Sequence, residues 1–206
     1  MTSADLQEKA TPRLARWKIG LVAGVILASI AIWFVNRPPA AKTEQQWQEQ
    51  ALQIGKKQDW NSLLGLAQQW TAAQPNSLLA WVTLGDAYRQ TNQHQQAIEI
   101  YSKIVGEKPD MYQVHGYLGV ELLNIGKLGE AKNACRQSLK LNPKHADARF
   151  CLATVAGFEG NPTDLREHYQ QLLTLNSGLA QQFDILVKQV ICPKNREALG
   201  KEICKG

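Results

Sequence analysis

The residues of this 206-residue chain that could support catalysis or bind a metal do not form a recognisable set. The four histidines are His94, His115, His145 and His168. None of them is spaced from another histidine, a cysteine or a helical glutamate as metal ligands are. The sequence has no Cys-x-x-Cys pair, haem-attachment motif or glycine-rich phosphate loop, and chain order assigns no Ser-His-Asp set. We therefore predict no enzymatic activity, no cofactor and no metal site.

The cysteines point to structural disulfide chemistry. Cys192 and Cys204 lie close together in a polar tail that also contains Pro193 and Gly200. Because such a segment has little core of its own, a disulfide would be its main restraint. In the chain-entropy model, closing a loop of this length stabilises the fold by about 3 kcal/mol. The spacing therefore predicts a Cys192–Cys204 bridge, which requires an oxidising compartment.

Cys135 and Cys151 form a second candidate pair. They lie equally far from Pro143, one on either side, so both would reach the same height if Pro143 marks a turn between two antiparallel helices. A bridge also requires Cα atoms within about 4.4–6.8 Å, which is closer than most helix pairs pack. The alternative is that Cys135 is a buried thiol that fills space in the core.

The elements that must position these residues follow a regular pattern over residues 78–111. This window contains, at fixed spacings, Trp81, Leu84, Gly85, Tyr88, Ala97, Tyr101 and Pro109. Gly85 and Ala97 are small where two helices would cross closely, and the aromatic side chains would fill the space around the crossing. Pro109 cannot continue a helix and would end the unit. The pattern resembles the tetratricopeptide repeat, in which each unit is a pair of helices.

Neighbouring windows carry weaker forms of the same pattern. Residues 112–145 keep Leu118, Gly119, Ala131 and Pro143, with His115 and Cys135 in place of two aromatics. Residues 44–77 and 146–179 keep fewer signature residues, as terminal units of repeat arrays do. The resemblance therefore implies an all-α solenoid of about four helix pairs over residues 44–179.

Residues 180–206 are predicted to form a capping helix and a cysteine-containing tail. Apolar side chains recur at helical spacing at Leu179, Phe183, Leu186, Val187 and Val190. One amphipathic helix with this face would cover the exposed end of the last unit. Residues 192–206 would follow it as a compact polar appendix.

The tetratricopeptide resemblance also implies a binding surface, because in this family the first helices of successive units line a concave groove for peptides or partner helices. Transferred position by position, that groove would be lined by Val82, Asp86, Arg89, Gly116, Val120, Asn124, Phe150 and Thr154. The carboxylate clamp of some members is absent, since Val82 and Asp86 stand where Lys and Asn would be needed. The implied partner is a protein or peptide segment. The alternative is that the groove is ordinary solvated surface and the partner binds elsewhere.

An uncharged, mainly apolar run over residues 19–35 precedes the repeats, with Trp17 and Trp33 near its two ends. Its length is at the short end for a membrane-spanning helix, and tryptophan is typical of membrane interfaces. A cleaved signal peptide is the alternative, but Asn36, Arg37 and two prolines follow instead of a small-residue cleavage site. We predict an uncleaved transmembrane anchor over 19–35, between an N-terminal cytoplasmic segment, 1–18, and a linker, 36–43.

Charge distribution predicts how the anchor is oriented. Residues 1–43 contain six Lys or Arg and two acids, whereas residues 44–206 contain 17 and 16. The repeats therefore have no concentrated basic face, which excludes nucleic acid as a favoured partner. Four Lys or Arg precede the run and two follow it, which favours a cytoplasmic N-terminus and repeats in a bacterial periplasm. Gly20, Gly24 and Ala28 form a small-residue stripe that could bring two anchors together, although such stripes also arise by chance.

Together these features predict a single-pass inner-membrane protein whose periplasmic repeat array is a non-enzymatic scaffold or adaptor for an envelope complex. A client-binding module is an alternative, because tetratricopeptide proteins anchored in this way resemble those that receive apocytochrome c during its maturation. A cytoplasm-facing scaffold is a further alternative if the orientation is reversed. No residue of the sequence identifies the partner.

Overall fold

The computed structural model describes residues 41–204, without the side chains of Lys201 and Glu202. The predicted cytoplasmic segment, the anchor over 19–35 with its stripe of Gly20, Gly24 and Ala28, and most of the linker lie outside the described residues. Over the described range, no helix combines the length and apolar character needed to cross a membrane.

Eight helices form four consecutive pairs over residues 44–175. They are α1 (Glu44–Lys56) and α2 (Trp60–Ala73), α3 (Leu78–Gln90) and α4 (His94–Glu107), α5 (Tyr112–Asn124) and α6 (Leu128–Leu141), and α7 (Ala146–Phe158) and α8 (Pro162–Leu175). The first helix of every pair begins at the first residue of its predicted repeat window. The predicted all-α solenoid is confirmed.

Short polar side chains start several of these helices. Thr43 forms a capping box with Gln46 at the start of α1, and Ser77 Oγ accepts a hydrogen bond from the Ala80 backbone N–H of α3. Asn161 caps α8, and Pro162 follows as the first helical residue, where its missing N–H costs nothing. These side chains pair backbone N–H groups that a helix leaves unsatisfied at its first turn.

The turn inside every pair uses the same left-handed backbone conformation. Gln58, Asn92, Gly126 and Gly160, which occupy the same position in successive units, have φ of 55°, 56°, 78° and 68°. This conformation is unfavourable for a residue with a Cβ and costs glycine nothing. The last two turns carry glycine, the second carries Asn92, whose residue type tolerates this conformation, and the first holds Gln58 in a strained position.

The helices of the best repeat cross so closely that any side chain at one position would force a neighbour to move. A Cβ built on Gly85 of α3 would lie 2.6 Å from the Tyr101 ring of α4. Tyr101 and its neighbour Ala97 are fully buried, and the Tyr101 hydroxyl donates to Asp86 Oδ1 at 2.7 Å. The close approach of Gly85 and the hydrogen bond to Asp86 therefore hold the Tyr101 ring in place between α3 and α4.

A repeated hydrogen bond ties successive pairs together. The fourth residue of a unit donates to the carbonyl of the proline that closes the preceding unit: Trp81 Nε1 to Pro75 at 2.8 Å, His115 Nε2 to Pro109 at 2.9 Å, and Arg149 Nη2 to Pro143 at 3.1 Å. Because a carbonyl only accepts, the His115 proton in this bond lies on Nε2. What the position requires is a side-chain N–H donor rather than an aromatic ring.

The C-terminal helix is longer and less regular than predicted. α9 (Ser177–Leu186) continues through a π-helical turn (Val187–Ile191) into α10 (Cys192–Ile203), which is interrupted at Asn195 and Gly200. The buried face consists of Ala180, Phe183, Val187 and Ile191. Among the residues predicted for this face, Leu179, Leu186 and Val190 are not fully buried.

The tail is part of the core, so its description as a polar appendix is wrong. Leu199 of α10 is 3% exposed and packs in the same apolar cluster as Phe183 and Leu172. Asn195 Nδ2 donates to the Gly157 carbonyl at the end of α7, at 3.1 Å. The tail therefore folds back over the last helix pair and seals its end.

Two disulfides stabilise this half of the array. Cys192 and Cys204 are bonded, with Cα atoms 5.5 Å apart, and they close α10 on itself. Cys135 of α6 and Cys151 of α7 are also bonded, with Cα atoms 6.4 Å apart, and both are fully buried. Cys135 occupies the position in its unit that Tyr101 occupies in the preceding unit. It is disulfide-bonded there and is not a free thiol.

Candidate interaction surface

The first helices of the four pairs share one continuous surface, which we call the inner face: the accessible side of α1, α3, α5 and α7. α1 and α3 border a common depression. The Arg89 guanidinium of α3 lies 5.0 Å from the centre of the Tyr117 ring of α5. α5 in turn packs directly on α7. A partner segment lying along the array would therefore meet all four helices.

The N-terminal part of the inner face is an apolar depression with a polar rim. Its lining residues are Leu78, Leu79, Val82 and Met111, with Thr43, Glu44, Gln45 and Gln48 at the rim. Leu78 and Leu79 are each 36% exposed. Glu44 Oε1 accepts a hydrogen bond from the Ser77 hydroxyl at 2.5 Å, which links the two helices across the rim. Covering the exposed leucines with an apolar side chain of a partner would be favourable.

The centre of the inner face is polar and built around Asp86. Its carboxylate accepts the Tyr101 hydroxyl bond and lies 3.7 Å from Arg89 Nε. Burial raises the pKa of Asp86, against the opposing effect of the Tyr101 hydrogen bond and the Arg89 charge. Burial also raises the pKa of Tyr101, with the Asp86 charge acting in the same direction. The Arg89 Nε is buried beside Asp86, whereas the two side chains as a whole remain 31% and 34% exposed and can be reached by a partner.

A Ser-His-Asp arrangement lies at the start of α7, where chain order could not assign one. His145 Nδ1 is 2.7 Å from Ser138 Oγ, and His145 Nε2 is 3.3 Å from Asp147 Oδ2. Ser138 donates its one proton to the Tyr112 carbonyl at 2.8 Å and therefore accepts from His145. Ser138 is also fully buried. This serine is thus neither activated nor accessible as a nucleophile, and the arrangement positions Asp147 instead.

Asp147 extends the polar centre towards the C-terminal end of the inner face. Its carboxylate is 42% exposed, and the hydrogen bond from His145 holds the pKa of Asp147 below its ordinary value despite partial burial. Arg89 and His145 both contribute favourable charge to it. The inner face thus presents, in order along the array, an apolar depression, an Asp–Arg pair stacked on Tyr117, and a second carboxylate.

Two of the residues predicted to line the groove are buried, and that prediction is wrong for them. The His145 ring lies so close to Gly116 that a Cβ there would overlap it. Thr154 is 2% exposed, and its hydroxyl donates to the Phe150 carbonyl at 2.8 Å. Phe150 is half-buried and packs edge-on against Phe183, with ring centres 5.9 Å apart, so it supports the C-terminal core.

The other predicted positions lie on the inner face to different degrees. Val82 lines the apolar depression, Asp86 and Arg89 form the polar centre, Val120 is half-buried and Asn124 is exposed. The sequence-based list missed Leu79, Met111, Tyr117 and Asp147. Leu79 and Asp147 both occupy the second position of their units, so a list that included this position would have found them.

Comparison with a family model identifies the two central units. Residues 78–111 and 112–145 each match the model described as tetratricopeptide repeat. These two segments are tetratricopeptide repeats. They are the same two windows that the residue pattern singled out as the strongest.

Solved structures share the fold at low sequence identity. The MamA fragment from residue 41 to the end, from Desulfovibrio magneticus RS-1, is 14% identical with a TM-score of 0.58, over 65% of this chain and 76% of that one. The thermophilic tetratricopeptide protein TTC0263 of Thermus thermophilus is 16% identical with a TM-score of 0.63, over 70% and 81%. No curated protein matches the chain. At these identities the similarity concerns the tetratricopeptide solenoid alone.

Proposed function

We propose that this protein is a non-enzymatic scaffold or adaptor that binds a segment of a protein partner along the inner face of its array. The observation that carries the proposal is the apolar depression with the polar centre of Asp86, Arg89 and Asp147 beside it. Exposed leucines give a partner apolar area to bury, and half-buried charged groups give it orientation.

The proposal places the array in the bacterial periplasm, held at the inner membrane by residues 19–35. The excess of Lys and Arg before this run supports that orientation. The Cys135–Cys151 and Cys192–Cys204 bridges support it as well, because disulfides persist in oxidising compartments and are rare in the cytosol. An alkaline phosphatase fused after Gly206 should therefore be active. An inactive enzyme fusion, together with a fluorescent cytoplasmic reporter at the same site, would reverse the orientation.

Affinity purification from detergent-solubilised membranes, followed by mass spectrometry, tests the binding surface. Leu79→Lys places a charge in the apolar depression and should abolish recovery of the partner. Leu141→Lys is the matched control, because Leu141 on α6 is 40% exposed and lies outside the inner face. Equal recovery with the wild type and with Leu79→Lys would show that the partner binds elsewhere.

The identity of the recovered protein separates the two biological roles. Recovery of pilus, secretion or cell-wall components favours a scaffold for an envelope complex. Recovery of cytochrome-maturation subunits favours the client-binding alternative.

A further inference from the structure

The exposed apolar surface of the inner face extends beyond the depression. Leu52 of α1 is 57% exposed and has the same place in its unit that Asp86 has in the next one. It lies one helical turn after Gln48, which lines the depression, so both side chains lie on the same side of α1. Leu79, which is 36% exposed, and Val82 continue the apolar surface on α3. This end of the array can therefore bury apolar side chains of a partner segment.

The charge beside this apolar surface is mainly negative. Three carboxylates lie at the rim of the depression and in the polar centre: Glu44, Asp86 and Asp147. Two basic groups face them. Arg89 is 3.7 Å from Asp86, and His145 is 3.3 Å from Asp147. Lys56, the one basic residue of α1, lies at the opposite end of that helix from Glu44. The acids therefore outnumber the bases here even when His145 is counted as protonated.

Asp147 is the carboxylate best placed to meet a cation of the partner. Its side chain is 42% exposed. Within the part of the chain that the structure describes, it forms no salt bridge with a lysine or arginine. The hydrogen bond from His145 holds the pKa of Asp147 below its ordinary value, against the opposing effect of burial, so the group is an anion at neutral pH. A lysine or arginine can thus approach it without breaking an existing pair with either residue type.

An aromatic ring lies beside the two carboxylates of the polar centre. Burial raises the pKa of Tyr117, and the charges of Asp86 and Asp147 act in the same direction, so both acids lie within electrostatic range of this ring. The Arg89 guanidinium is 5.0 Å from its centre. Tyr117 also packs edge-on against His145, with ring centres 6.3 Å apart. A second cation at this point would meet an anion and aromatic surface together.

The apolar and acidic parts of the inner face are two units apart. Leu79 and Asp147 occupy the second position of the second and fourth units. Packed helices have axes about 8–10 Å apart, so the distance from α3 across α5 to α7 is roughly 20 Å. An extended segment covers this distance in about six residues, and a helical one in about 13. A peptide of about 16 residues is therefore long enough in either conformation.

We propose, resting on the inner-face function proposed above, that the partner segment is apolar and basic: its apolar side chains cover Leu52, Leu79 and Val82, and a lysine or arginine reaches Asp147. An acidic segment would bring like charges against Glu44 and Asp147, which is unfavourable. The scaffold function leaves the chemistry of the partner open, whereas this inference specifies it. The segment has an apolar part for the N-terminal units and a cation for the last one.

Selection from a phage-displayed library of random peptides of about 16 residues, against the full chain purified in detergent, tests the proposal. Selected peptides should combine apolar residues with lysine or arginine and be depleted of acids. Leu79→Asn removes apolar surface without adding charge and should weaken their binding about ten-fold. Acidic peptides whose binding depends on Leu79 would overturn this proposal and leave the inner face as the binding surface. Peptides insensitive to Leu79→Asn, or no selected peptide, would overturn the inner-face function and this proposal with it.

Charge reversal on both sides tests the contact with Asp147. Glutamate in place of the basic residue of a selected peptide should weaken binding to wild type about ten-fold, and Asp147→Lys should restore binding of that glutamate peptide. Asp147→Asn removes the charge at nearly constant size and should weaken binding of the original peptide. Glu130→Lys on α6 is the matched control, because Glu130 is 61% exposed and lies outside the inner face. Circular dichroism of each variant should match wild type. Unchanged affinity of the original peptide for both Asp147 variants would overturn the proposal.

Discussion

The close crossing of α3 and α4 makes a sharp prediction for Gly85→Ala. The added Cβ would lie 2.6 Å from Tyr101 Cε1 and 3.0 and 3.1 Å from two further ring carbons. Tyr101 has no exposed surface, and its hydroxyl bond to Asp86 prevents the ring from moving away freely. One methyl group must therefore either displace the α3–α4 crossing or break that hydrogen bond.

The expected magnitude follows from two alternative costs and one gain that opposes them. Overpacking a core typically costs about 1–3 kcal/mol. Weakening a hydrogen bond to a charged acceptor costs about 1.5–3 kcal/mol. Replacing glycine by alanine inside a helix returns at most about 1 kcal/mol. We expect a net loss of about 2 kcal/mol, which in a domain of this size lowers the melting temperature by about 4–8 °C.

Thermal unfolding followed by far-ultraviolet circular dichroism measures this effect. Gly65→Ala in α2 is the matched control, because no atom lies within 4 Å of a Cβ at that position. It should stabilise the protein by about 0.5–1 kcal/mol, the ordinary gain for a helix interior. In a Tyr101→Leu background, Gly85→Ala should cost much less. A Gly85→Ala protein as stable as wild type would refute the argument.

Three further variants test other parts of the structure. Gln58→Gly should stabilise the protein by up to about 1 kcal/mol, because glycine adopts the left-handed turn without strain; a lower urea midpoint would contradict this. The fold lowers the pKa of Asp147. Its ionised carboxylate therefore contributes to stability above the pKa that it has in the unfolded chain, and this contribution is lost as pH falls below about 4. Asp147→Asn removes this titrating group, so the free energy of unfolding should fall less steeply as the pH drops through that acidic range. An unchanged pH profile would count against the His145 contact. Replacing both Cys192 and Cys204 by serine should cost about 3 kcal/mol. Peptide mapping without reductant should recover the cross-linked pair, and complete alkylation of both thiols would contradict the bridge.

The fold could be predicted from the sequence because the residues that define a tetratricopeptide unit contact one another over short distances in the chain. Trp81, Gly85, Tyr101 and Pro109 mark one helix pair, and the same spacing repeats in the next unit. Each signature residue reports a contact inside its own unit or with an adjacent one. A local pattern therefore predicts helix pairs and their register without knowledge of the distant chain.

Some features of the units left no recognisable trace in that pattern. Gln58 occupies the left-handed turn that Gly126 and Gly160 occupy later, and a glutamine does not indicate that conformation, whereas Asn92 belongs to a residue type that is enriched in it. His115 and Arg149 differ from Trp81 in shape and charge, yet all three donate to a proline carbonyl. The sequence shows only that the residue types differ, whereas what these three positions share is a side-chain N–H group that reaches the proline carbonyl.

The sequence by itself determined the repeat register and which side of each first helix faces inwards. Only the tertiary structure decided which of those inward positions a partner can reach. Gly116 lies under the His145 ring, and Phe150 is held by Phe183 of the C-terminal helix. Leu199 likewise lies in a polar stretch of sequence and is nevertheless buried. The physical reason is that helix periodicity sets the direction of a side chain, whereas its exposure depends on neighbours supplied by other units and by the folded-back tail.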